Sequence, residues 1–316
     1  MMRSCPFPPP FDELIARALA EDLGVEPERL LAPATTPGEP SDLLVRDVTT
    51  HAVATQGSRF AGRVVVREAG VVCGIGMATR AWTMLAAAAG IGSDSLVVEP
   101  LAREGDSLAP GTAVLEVEGP SAVVLAAERT ALNVLMTLSG IASEAARWSA
   151  AAPGVDICDT RKTLPGLRAL SKWAALCGGG HPHRAGLWDM VLVKDNHIRM
   201  AGGITTAIEK ARAAYPELML EVEADTIAQA EEAVRAGADI VLLDNMDGVT
   251  LARAVTAVRA AGKAAGRHCL TEASGGIRFE DLDRVVAAGV DRISTSALTL
   301  APQLDFGFDE VTNARA

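Results

Sequence analysis

Hydrophobic and polar positions follow two different rhythms along this chain, and each rhythm predicts its own set of elements. Residues 11–23 repeat their apolar positions every three or four residues, which predicts an amphipathic helix. Residues 24–42 are rich in Pro, Thr and Gly, so we expect a loop or a flexible insertion there. Residues 59–119 carry short apolar stretches, interrupted by one helical pattern over residues 77–89. The first part of the chain is therefore predicted to form a small domain rich in strands.

The second part of the chain begins with a long predicted helix, residues 126–151, and then repeats one kind of unit. Apolar runs recur there, and helical segments separate the later ones. Nearly continuous apolarity is typical of parallel strands covered on both faces, and strands spaced by single helices indicate parallel β/α units. We expect a partial α/β barrel, with a doubly wound open sheet as the alternative. The predicted strands are residues 155–160, 190–196, 218–224, 239–245, 268–276 and 290–298, and the predicted later helices are residues 205–215, 226–236, 251–261 and 279–288.

One stretch of the first part resembles a different kind of domain. Residues 104–119 are similar to the flattened β-sandwich of lipoyl and biotinyl domains, which carry a modified Lys at a hairpin tip. No Lys precedes Lys162 in this chain. A small strand-rich domain without such a modification is therefore the favoured interpretation.

Composition and charge narrow the function classes. The chain has 316 residues, 49% of them hydrophobic, and a formal net charge of −11, so a basic nucleic-acid groove is not expected. Its five cysteines form no C-x-x-C pair, which favours a reduced, intracellular protein without structural zinc. The sequence contains no run of about 18 apolar residues, so no membrane-spanning helix is predicted. Residues 1–10 are broken by prolines and do not resemble a signal peptide, so we expect a cytoplasmic protein.

The predicted strands of the second part end in charged or small polar residues. In an α/β barrel the carboxyl ends of the strands converge on one face, where active sites are built. A single Asp after a strand is often only a helix cap, and two glycines are often only a turn, but a series of such ends indicates a site. These residues are Arg161 and Lys162, Lys194 and Asp195, Glu221 and Glu223, Asp244, and Ser274, Gly275 and Gly276.

The chemistry of these strand ends suits a phosphorylated sugar and an anionic partner. Arg binds carboxylate and phosphate through two parallel hydrogen bonds, and Lys acts as a point charge. The chain has only five lysines, so Lys162 and Lys194 are candidates for a specific role. Glu223 and Asp244 suit Mg²⁺ held together with substrate phosphate, or the stabilisation of a positive sugar carbon. The backbone N–H groups after Ser274 suit a terminal phosphate, and the set predicts glycosyl transfer from an activated ribose phosphate.

Seven motifs in this order resemble the quinolinate phosphoribosyltransferase family. Two upstream stretches, LAEDLG (19–24) and RDVTT (46–50), resemble the N-terminal signature of that family, separated here by the Pro-rich insertion. The match therefore extends over most of the chain. The seven motifs are ERTALN (128–133), DTRKTLPGLR (159–168), GGGHPHRAGL (178–187), VKDNH (193–197), LEVEAD (220–225), LLDN (242–245) and SGGI (274–277).

The resemblance implies a fold, a reaction and an assembly. It implies an N-terminal α/β sandwich domain over residues 1–125, a partial α/β barrel over residues 126–300, and a segment, 301–316, that returns to the N-terminal domain. The reaction is quinolinate plus phosphoribosyl pyrophosphate giving nicotinate mononucleotide, pyrophosphate and CO₂, with Mg²⁺. The implied assembly is a homodimer whose sites use residues from both chains, and the sequence leaves open whether dimers form a hexamer.

The resemblance also assigns roles to residues of this sequence. Arg129, Arg161, Lys162, His183 and Arg184 would bind the quinolinate dicarboxylate, and Thr160 is a further predicted substrate-binding residue. Lys194 would face the pyrophosphate, and Glu223 and Asp244 would serve the ribose and its metal, directly or indirectly. The 5′-phosphate would be bound by Ser274, Gly275, Gly276, Thr295, Ser296 and Ala297. Lys162, Lys194, Glu223 and Asp244 are the predicted catalytic residues.

Two departures and two alternatives accompany this assignment. His181-Pro182 stands where the family often has another residue and Asn, and Ser296 stands where Gly, which allows closer approach, is common. A paralogue found beside molybdate transport shares the fold but lacks the KDNH and LDN elements, which this chain contains at residues 194–197 and 243–245. The second alternative is an inactive homologue that binds a phosphosugar, although every expected charged position is filled here.

Overall fold

The computed structural model describes residues 11–32 and 42–311, in two compact units. The first unit runs up to Ser143 and resumes at Pro302, and the second runs from Glu144 to Ala301. The sequence prediction placed this boundary at residues 125 and 126, before the long helix. Two predictions fall on residues outside the described ones. They are the prediction that residues 1–10 do not form a signal peptide, and the part of the predicted insertion at residues 33–41.

The helices and strands are named here in chain order. The first unit contains α1 (Phe11–Leu23), α2 (Glu28–Leu31), α3 (Val48–Val53), β1 (Arg59–Val66), β2 (Gly70–Val71), α4 (Ile75–Ala88), β3 (Val97–Pro100), β4 (Ser107–Leu108) and β5 (Ala113–Pro120). Helix α5 (Ser121–Ala151) contains the boundary between the units. The second unit contains β6 (Asp156–Cys158), α6 (Arg168–Cys177), β7 (Val191–Val193), α7 (Asp195–Ala201), α8 (Ile204–Ala214), β8 (Leu220–Ala224), α9 (Ile227–Ala236), β9 (Ile240–Asp244), α10 (Gly248–Ala264), β10 (Leu270–Ser274), α11 (Leu282–Ala287) and β11 (Arg292–Ser294). The last strand, β12 (Phe306–Glu310), belongs to the first unit.

The first unit is built on an antiparallel sheet with the strand order β12-β1-β5-β3. Strand β1 buries Val64, Val65 and Val66, while Arg63 is exposed and pairs with Glu116 on β5. Strand β12 pairs with β1 in antiparallel register, with Phe308 opposite Val64. The end of the described chain therefore completes the sheet that its beginning forms.

Part of the predicted loop over residues 24–42 is helical instead. Helix α2 occupies residues 28–31 of that stretch, and Leu30 within it is buried. Local composition predicts a loop because Pro and Gly interrupt the pattern. Burial of one apolar side chain in the unit favours a single helical turn over that preference.

The second unit is a parallel six-stranded sheet with the order β6-β11-β10-β9-β8-β7. Strands β7 to β11 pair in the order in which they follow one another in the chain. Strand β6 is the exception, because it pairs with β11, the last strand of this unit. Strands β6 and β7, which follow each other in the chain, are thus the two edge strands of the sheet. At the β6 edge, Cys158 also forms an isolated parallel β-bridge with His181. The expected α/β fold with a partial parallel barrel is confirmed.

Two helices of the second unit were not predicted from the sequence. Helix α6 carries the buried polar residues Ser171 and Lys172, which break the apolar pattern on which the prediction depends. Helix α7 has only seven residues, which is too short for a periodic signal. The predicted strands also extend past the observed ones, because their polar last residues belong to loops.

Helix α5 is long and apolar enough to cross a membrane by length and composition alone, since it has 31 residues and its most apolar 18-residue stretch has a mean hydropathy of 1.3. Half of that stretch is buried inside the protein. Val124, Ala127 and Leu135 are fully buried, whereas the side chain of Arg129 is 60% exposed. A buried apolar face and a charged exposed face are typical of a core helix of a globular protein.

Candidate functional site

A cavity of about 640 Å³ lies at the carboxyl ends of the strands of the parallel sheet. This is the face on which the sequence analysis places the site. The cavity brings together eleven of the predicted site residues, which are Thr160, Arg161, Lys162, His183, Arg184, Lys194, Glu223, Asp244, Ser274, Gly275 and Gly276. Four predicted residues do not line it: Thr295, Ser296 and Ala297 of the second unit, and Arg129 of the first.

Three cations, Arg161, Lys162 and Arg184, form one side of the cavity. Burial and the neighbouring positive charge of Arg161 lower the pKa of Arg184. The Nε of Arg161 is buried and has no hydrogen-bond partner among the described residues. Two guanidinium groups that repel each other, one with an unused donor, are arranged to receive an anion.

Two hydrogen bonds fix the backbone of this cationic segment. Thr160 Oγ1 accepts a hydrogen bond of 3.1 Å from the N–H of Lys162. Thr299 Oγ1 donates a hydrogen bond of 2.6 Å to the carbonyl of Lys162. The Pro165-Gly166 turn and α6 then lead the chain away, so the charged side chains stand at the end of a short, tied loop.

Carboxylates lie at the ends of the adjacent strands β8 and β9. Glu223 pairs with Lys194, and one oxygen each from Glu223, Asp225 and Asp244 lies within 4.8 Å of the others. Burial, followed by the negative charge of Glu223, raises the pKa of Asp244. A group of oxygen donors that repel one another suits a hard divalent cation such as Mg²⁺. Asp225 was not predicted, although its position two residues after Glu223 was visible.

The glycine turn after β10 closes another side of the cavity. Ser274 lies opposite Asp244 in the parallel register. Gly275 has a φ of +98°, and a Cβ added there would lie 2.3 Å from Asn245 Oδ1, so no other residue fits without movement. A second cavity of about 260 Å³ is lined by the same two glycines, Gly275 and Gly276, and by Arg284. At this turn the cavity is therefore lined by closely packed backbone and not by side chains.

The turn after β11 is arranged differently from the sequence assignment. Ser294 lines the cavity, but the buried Thr295 accepts a hydrogen bond of 3.2 Å from the N–H of Ala297. The carbonyl of Ser296 accepts a hydrogen bond of 3.1 Å from Leu300. Thr295 also bonds outside this turn, since its N–H donates to the carbonyl of Cys158 at 3.1 Å and its hydroxyl to the carbonyl of Ile277 at 3.5 Å.

Beneath the cavity lies a set of buried charged groups that sequence reasoning missed or left without a role. Asp159 pairs with Lys172, and both side chains are at most 2% exposed. Burial raises the pKa of Asp159 despite the ammonium beside it. Glu221 and Glu272 are fully buried, and Arg292 lies 3.4 Å from Glu272. One signal was available: Glu221 is two residues from Glu223, so both face the same side of β8.

His183 lies at the centre of this buried set. Its Nε2 lies 3.2 Å from a carboxylate oxygen of Glu221 and 3.2 Å from one of Glu272. Burial lowers its pKa, but the two carboxylates outweigh burial and raise the pKa to about 9. Its Nδ1 accepts a hydrogen bond of 2.8 Å from the N–H of Arg184, which requires an unprotonated nitrogen. The hydrogen bond at Nδ1 places the ring proton on Nε2, beside the two carboxylates, and burial raises the pKa of Glu221.

Two family models match the chain. Residues 47–139 match the N-terminal domain of quinolinate phosphoribosyl transferase, and residues 141–309 match its C-terminal domain. Together they extend over both compact units.

Individual relatives agree with the family models. A probable nicotinate-nucleotide pyrophosphorylase (carboxylating) of Synechocystis sp. is 38% identical, over 85% of this chain and 90% of that protein. The Mycobacterium leprae protein of the same name is 38% identical, over 83% of this chain and 90% of that protein. A crystal structure of the nicotinate-nucleotide pyrophosphorylase of Ehrlichia chaffeensis covers 96% of this chain and 100% of its own, with a TM-score of 0.81 and 30% identity. The chain belongs to the quinolinate phosphoribosyltransferase family.

Proposed function

We propose that this protein transfers the phosphoribosyl group of phosphoribosyl pyrophosphate to quinolinate. The products are nicotinate mononucleotide, pyrophosphate and CO₂, a step of NAD biosynthesis. The observation that carries the proposal is the cavity in which four cations lie with a group of carboxylates and a glycine turn. An aromatic dianion, a sugar with a charged leaving group and a terminal phosphate need these three kinds of surface.

The cationic side of the cavity binds the acceptor. Quinolinate carries two carboxylates on adjacent ring carbons, and Arg161 and Arg184 can each bind a carboxylate through two parallel hydrogen bonds. Lys162 adds a point charge beside them. A dianion also relieves the repulsion between Arg184 and Arg161, which acts together with burial, the larger cause, to lower the pKa of Arg184 in the free protein. Binding quinolinate in this way would aim its ring nitrogen at the sugar.

The carboxylate side of the cavity promotes the bond exchange. The ring nitrogen of quinolinate forms a bond to ribose C1 while the bond from C1 to pyrophosphate breaks, and the electron pair of that bond leaves with pyrophosphate. Positive charge develops on the sugar, and Glu223 and Asp244 stabilise it. Lys194, which pairs with Glu223, supplies positive charge for the departing pyrophosphate. The carboxylate at ring position 2 then leaves as CO₂, and a proton takes its place.

We propose that Mg²⁺ binds with the donor substrate at Glu223 and Asp244, with Asp225 beside them. Their oxygens are close enough to share one ion, and burial, followed by the negative charge of Glu223, raises the pKa of Asp244. When bound, Mg²⁺ would offset the charge of the pyrophosphate oxygens. The glycine turn, Ser274 to Gly276, would receive the 5′-phosphate through backbone N–H groups. Thr295 and Ala297 would contribute backbone N–H groups there only after leaving the hydrogen bonds that these groups make to Cys158 and to Thr295 Oγ1.

A pyrophosphate-release assay with two acceptors tests the proposed function. Quinolinate should support release that depends on both substrates and Mg²⁺, whereas nicotinate, which lacks one carboxylate, should support little or none. Nicotinate mononucleotide and CO₂ should appear in equal amounts with pyrophosphate. No turnover with either acceptor would contradict the enzyme assignment and favour an inactive phosphosugar-binding homologue.

We propose a cytoplasmic location for this enzyme. Among the described residues, Cys158, Cys177 and Cys269 are free thiols. Burial raises the pKa of Cys158 to about 12 and that of Cys269 to about 11, so both are inert and neutral. A protein whose thiols stay reduced suits a reducing compartment.

We propose further that the active enzyme is a homodimer in which Arg129 completes the site of the partner subunit. The side chain of Arg129 is 60% exposed, and its ion pair with the adjacent Glu128 is long, at 3.8 Å. It is thus a cation of the first unit that is accessible to a second copy. The resemblance assigns it to the quinolinate site. Whether such dimers associate into a hexamer is a separate question that sedimentation would answer.

Mixing two inactive variants tests the shared site. Arg129→Ala and Asp244→Ala subunits should each form inactive homodimers, and exchange between them should restore about a quarter of the wild-type activity. The reason is that half of the randomly paired dimers are mixed, and one of the two sites in each mixed dimer is intact. A lack of recovery, once mass spectrometry has demonstrated subunit exchange, would show that Arg129 acts within its own chain or not at all.

A further inference from the structure

Asn245, the residue that follows β9, has a backbone conformation that residues with a side chain rarely adopt. Its φ is +53°, and among the described residues it is the only one other than glycine with a positive φ. Asn tolerates this left-handed region better than most residues do, but glycine enters it without strain. A position of this kind that is occupied by a residue with a side chain indicates that the side chain has a use there.

The amide of Asn245 holds the carboxylate of Asp244. Its Nδ2 donates a hydrogen bond to Asp244 Oδ2. An ionised carboxylate only accepts hydrogen bonds, so the amide has to face it with the nitrogen, as it does here. In the part of the chain that the structure describes, Asn245 is the one hydrogen-bond donor of this carboxylate. The direction of the Asp244 side chain therefore depends on its neighbour in the sequence.

Like charges act against this direction. One oxygen each from Glu223, Asp225 and Asp244 lies within 4.8 Å of the others. Glu223 is held in the group by its ion pair with Lys194, whose ammonium makes its hydrogen bond with Glu223 and not with Asp244. Repulsion thus favours rotation of the Asp244 side chain away from the other carboxylates. The hydrogen bond from Asn245 opposes that rotation.

The rest of Asn245 is fixed by β10 and the glycine turn after it. The N–H of Asn245 donates a hydrogen bond of 3.0 Å to the carbonyl of Ser274. A Cβ added to Gly275 would lie 2.3 Å from Asn245 Oδ1, so the amide oxygen packs closely against that turn. Asn245 also lines both the cavity of about 640 Å³ and the cavity of about 260 Å³. Its amide therefore has little room to turn away from Asp244.

We propose that Asn245 is a positioning residue whose amide holds the carboxylate of Asp244 toward the ribose. The inference rests on the proposed function, because Asp244 stabilises the sugar in the transfer reaction. The left-handed backbone places the amide beside the side chain of the preceding residue. Without this donor the carboxylate turns away from the positive charge that develops on the sugar. The transition state then loses more stabilisation than the bound substrates do, so the rate falls and quinolinate affinity is retained.

Two substitutions separate the amide of Asn245 from its backbone. Asn245→Gly removes the amide and adopts the left-handed conformation without strain, whereas Asn245→Ala removes the amide and increases the strain. We expect both variants to lose about tenfold in single-turnover rate, as the loss of one hydrogen bond to a charged group implies. Asn245→Ala should melt at a lower temperature than Asn245→Gly. Equal rates with unequal melting temperatures would assign the effect to the amide.

A double-mutant cycle tests whether the amide acts through Asp244. Single-turnover rates are measured on the wild type, Asn245→Gly, Asp244→Ala and the double variant. Asn245→Gly should cost about tenfold when Asp244 is present, and less than about twofold when it is absent. Calorimetry should give a quinolinate affinity of Asn245→Gly within about twofold of the wild type, because the proposed acceptor site consists of cations outside this strand end. The cycle decides the proposal even if Asn245→Ala does not fold.

The opposite outcomes overturn the proposal. A rate that follows the melting temperature, near the wild type in Asn245→Gly and lower in Asn245→Ala, would give the residue a role in the backbone alone. Additive losses in the cycle would show that the amide acts on a group other than Asp244. A loss of quinolinate affinity as large as the loss of rate would show a general distortion of the cavity.

Failure of this inference can be told apart from failure of the proposed function. A wild-type protein that does not convert quinolinate would overturn the function, and the role of Asn245 with it. A wild-type protein that converts quinolinate no faster than Asn245→Gly does would overturn the role of Asn245 alone.

Discussion

Replacing Arg161 by alanine is expected to weaken quinolinate binding by about 10²-fold, while binding of phosphoribosyl pyrophosphate changes little. Arg161 lines the cavity, and its buried Nε has no hydrogen-bond partner among the described residues. A buried, unused donor is costly in the free protein and contributes most when an anion arrives. Removing the guanidinium therefore removes an interaction that the free enzyme does not make with itself.

Replacing Lys162 by alanine should weaken quinolinate binding less than the Arg161 variant does. Lys162 is exposed, and water screens its charge more strongly than that of Arg161. The loop should survive the substitution, because Thr299 binds the carbonyl of Lys162 and Thr160 binds its N–H. Both variants should nevertheless lose quinolinate affinity selectively.

Calorimetry with each substrate on each variant measures this selectivity. Lys263→Ala is the matched control, since Lys263 is exposed on α10 and does not line the cavity. It should bind both substrates as the wild type does. Intact quinolinate affinity in Arg161→Ala would show that the dicarboxylate binds elsewhere, and equal loss of both affinities would show a general electrostatic effect instead of a specific contact.

The fold was predictable where the signal is local and long. Helix α1 begins and ends at the predicted residues 11 and 23, and the six strands of the parallel sheet lie within the predicted apolar runs. These elements follow from periodicity, which a single sequence displays directly. Helix α7 and the single turn of α2 have too few residues to show a period, so they could not be found in this way.

The charged residues at the strand ends of the candidate site could be predicted from the sequence, but the buried charged groups beneath the cavity could not. Residues at strand ends, such as Glu223 and Asp244, are marked by a change from apolar to charged sequence. The buried contacts of His183 with Glu221 and Glu272 join three distant parts of the chain. Nothing in the local pattern pairs them, because the folded parallel sheet, and not the local sequence, brings them together. Their roles required the structure.

Removing the charge of Asp244 or Glu223 is expected to lower kcat by about 10²–10³-fold with little loss of stability. Carboxylates near the ribose stabilise a positively charged sugar more strongly in the transition state than in the neutral ground state, and only such a difference raises kcat. Half-burial strengthens the effect, because a charge in a partly dry site acts in a lower dielectric than water. Burial and Glu223 already raise the pKa of Asp244, which shows how closely these charges interact.

The competing explanation for Asp244, that it merely caps the following helix, is excluded by the contacts of α10. The cap of that helix is Asp247, whose Oδ1 accepts hydrogen bonds of 2.9 Å from the N–H groups of Val249 and Thr250. Likewise the cap of α9 is Thr226, not Glu223. Neither predicted catalytic carboxylate therefore has a structural role at a helix end.

Asp244→Asn and Glu223→Gln, measured by single-turnover rate and melting temperature, test this prediction. Thr226→Ala is the control: loss of a cap should cost about 1 kcal/mol of stability and spare the rate. Binding of Mn²⁺ in the presence of phosphoribosyl pyrophosphate, followed by electron paramagnetic resonance, should weaken in Asp244→Asn and not in Thr226→Ala, which separates a metal role from a purely electrostatic one. An Asp244→Asn protein that turns over normally but melts earlier would place Asp244 among the structural residues, and the positive charge on the sugar would then need a different stabilising group in this cavity.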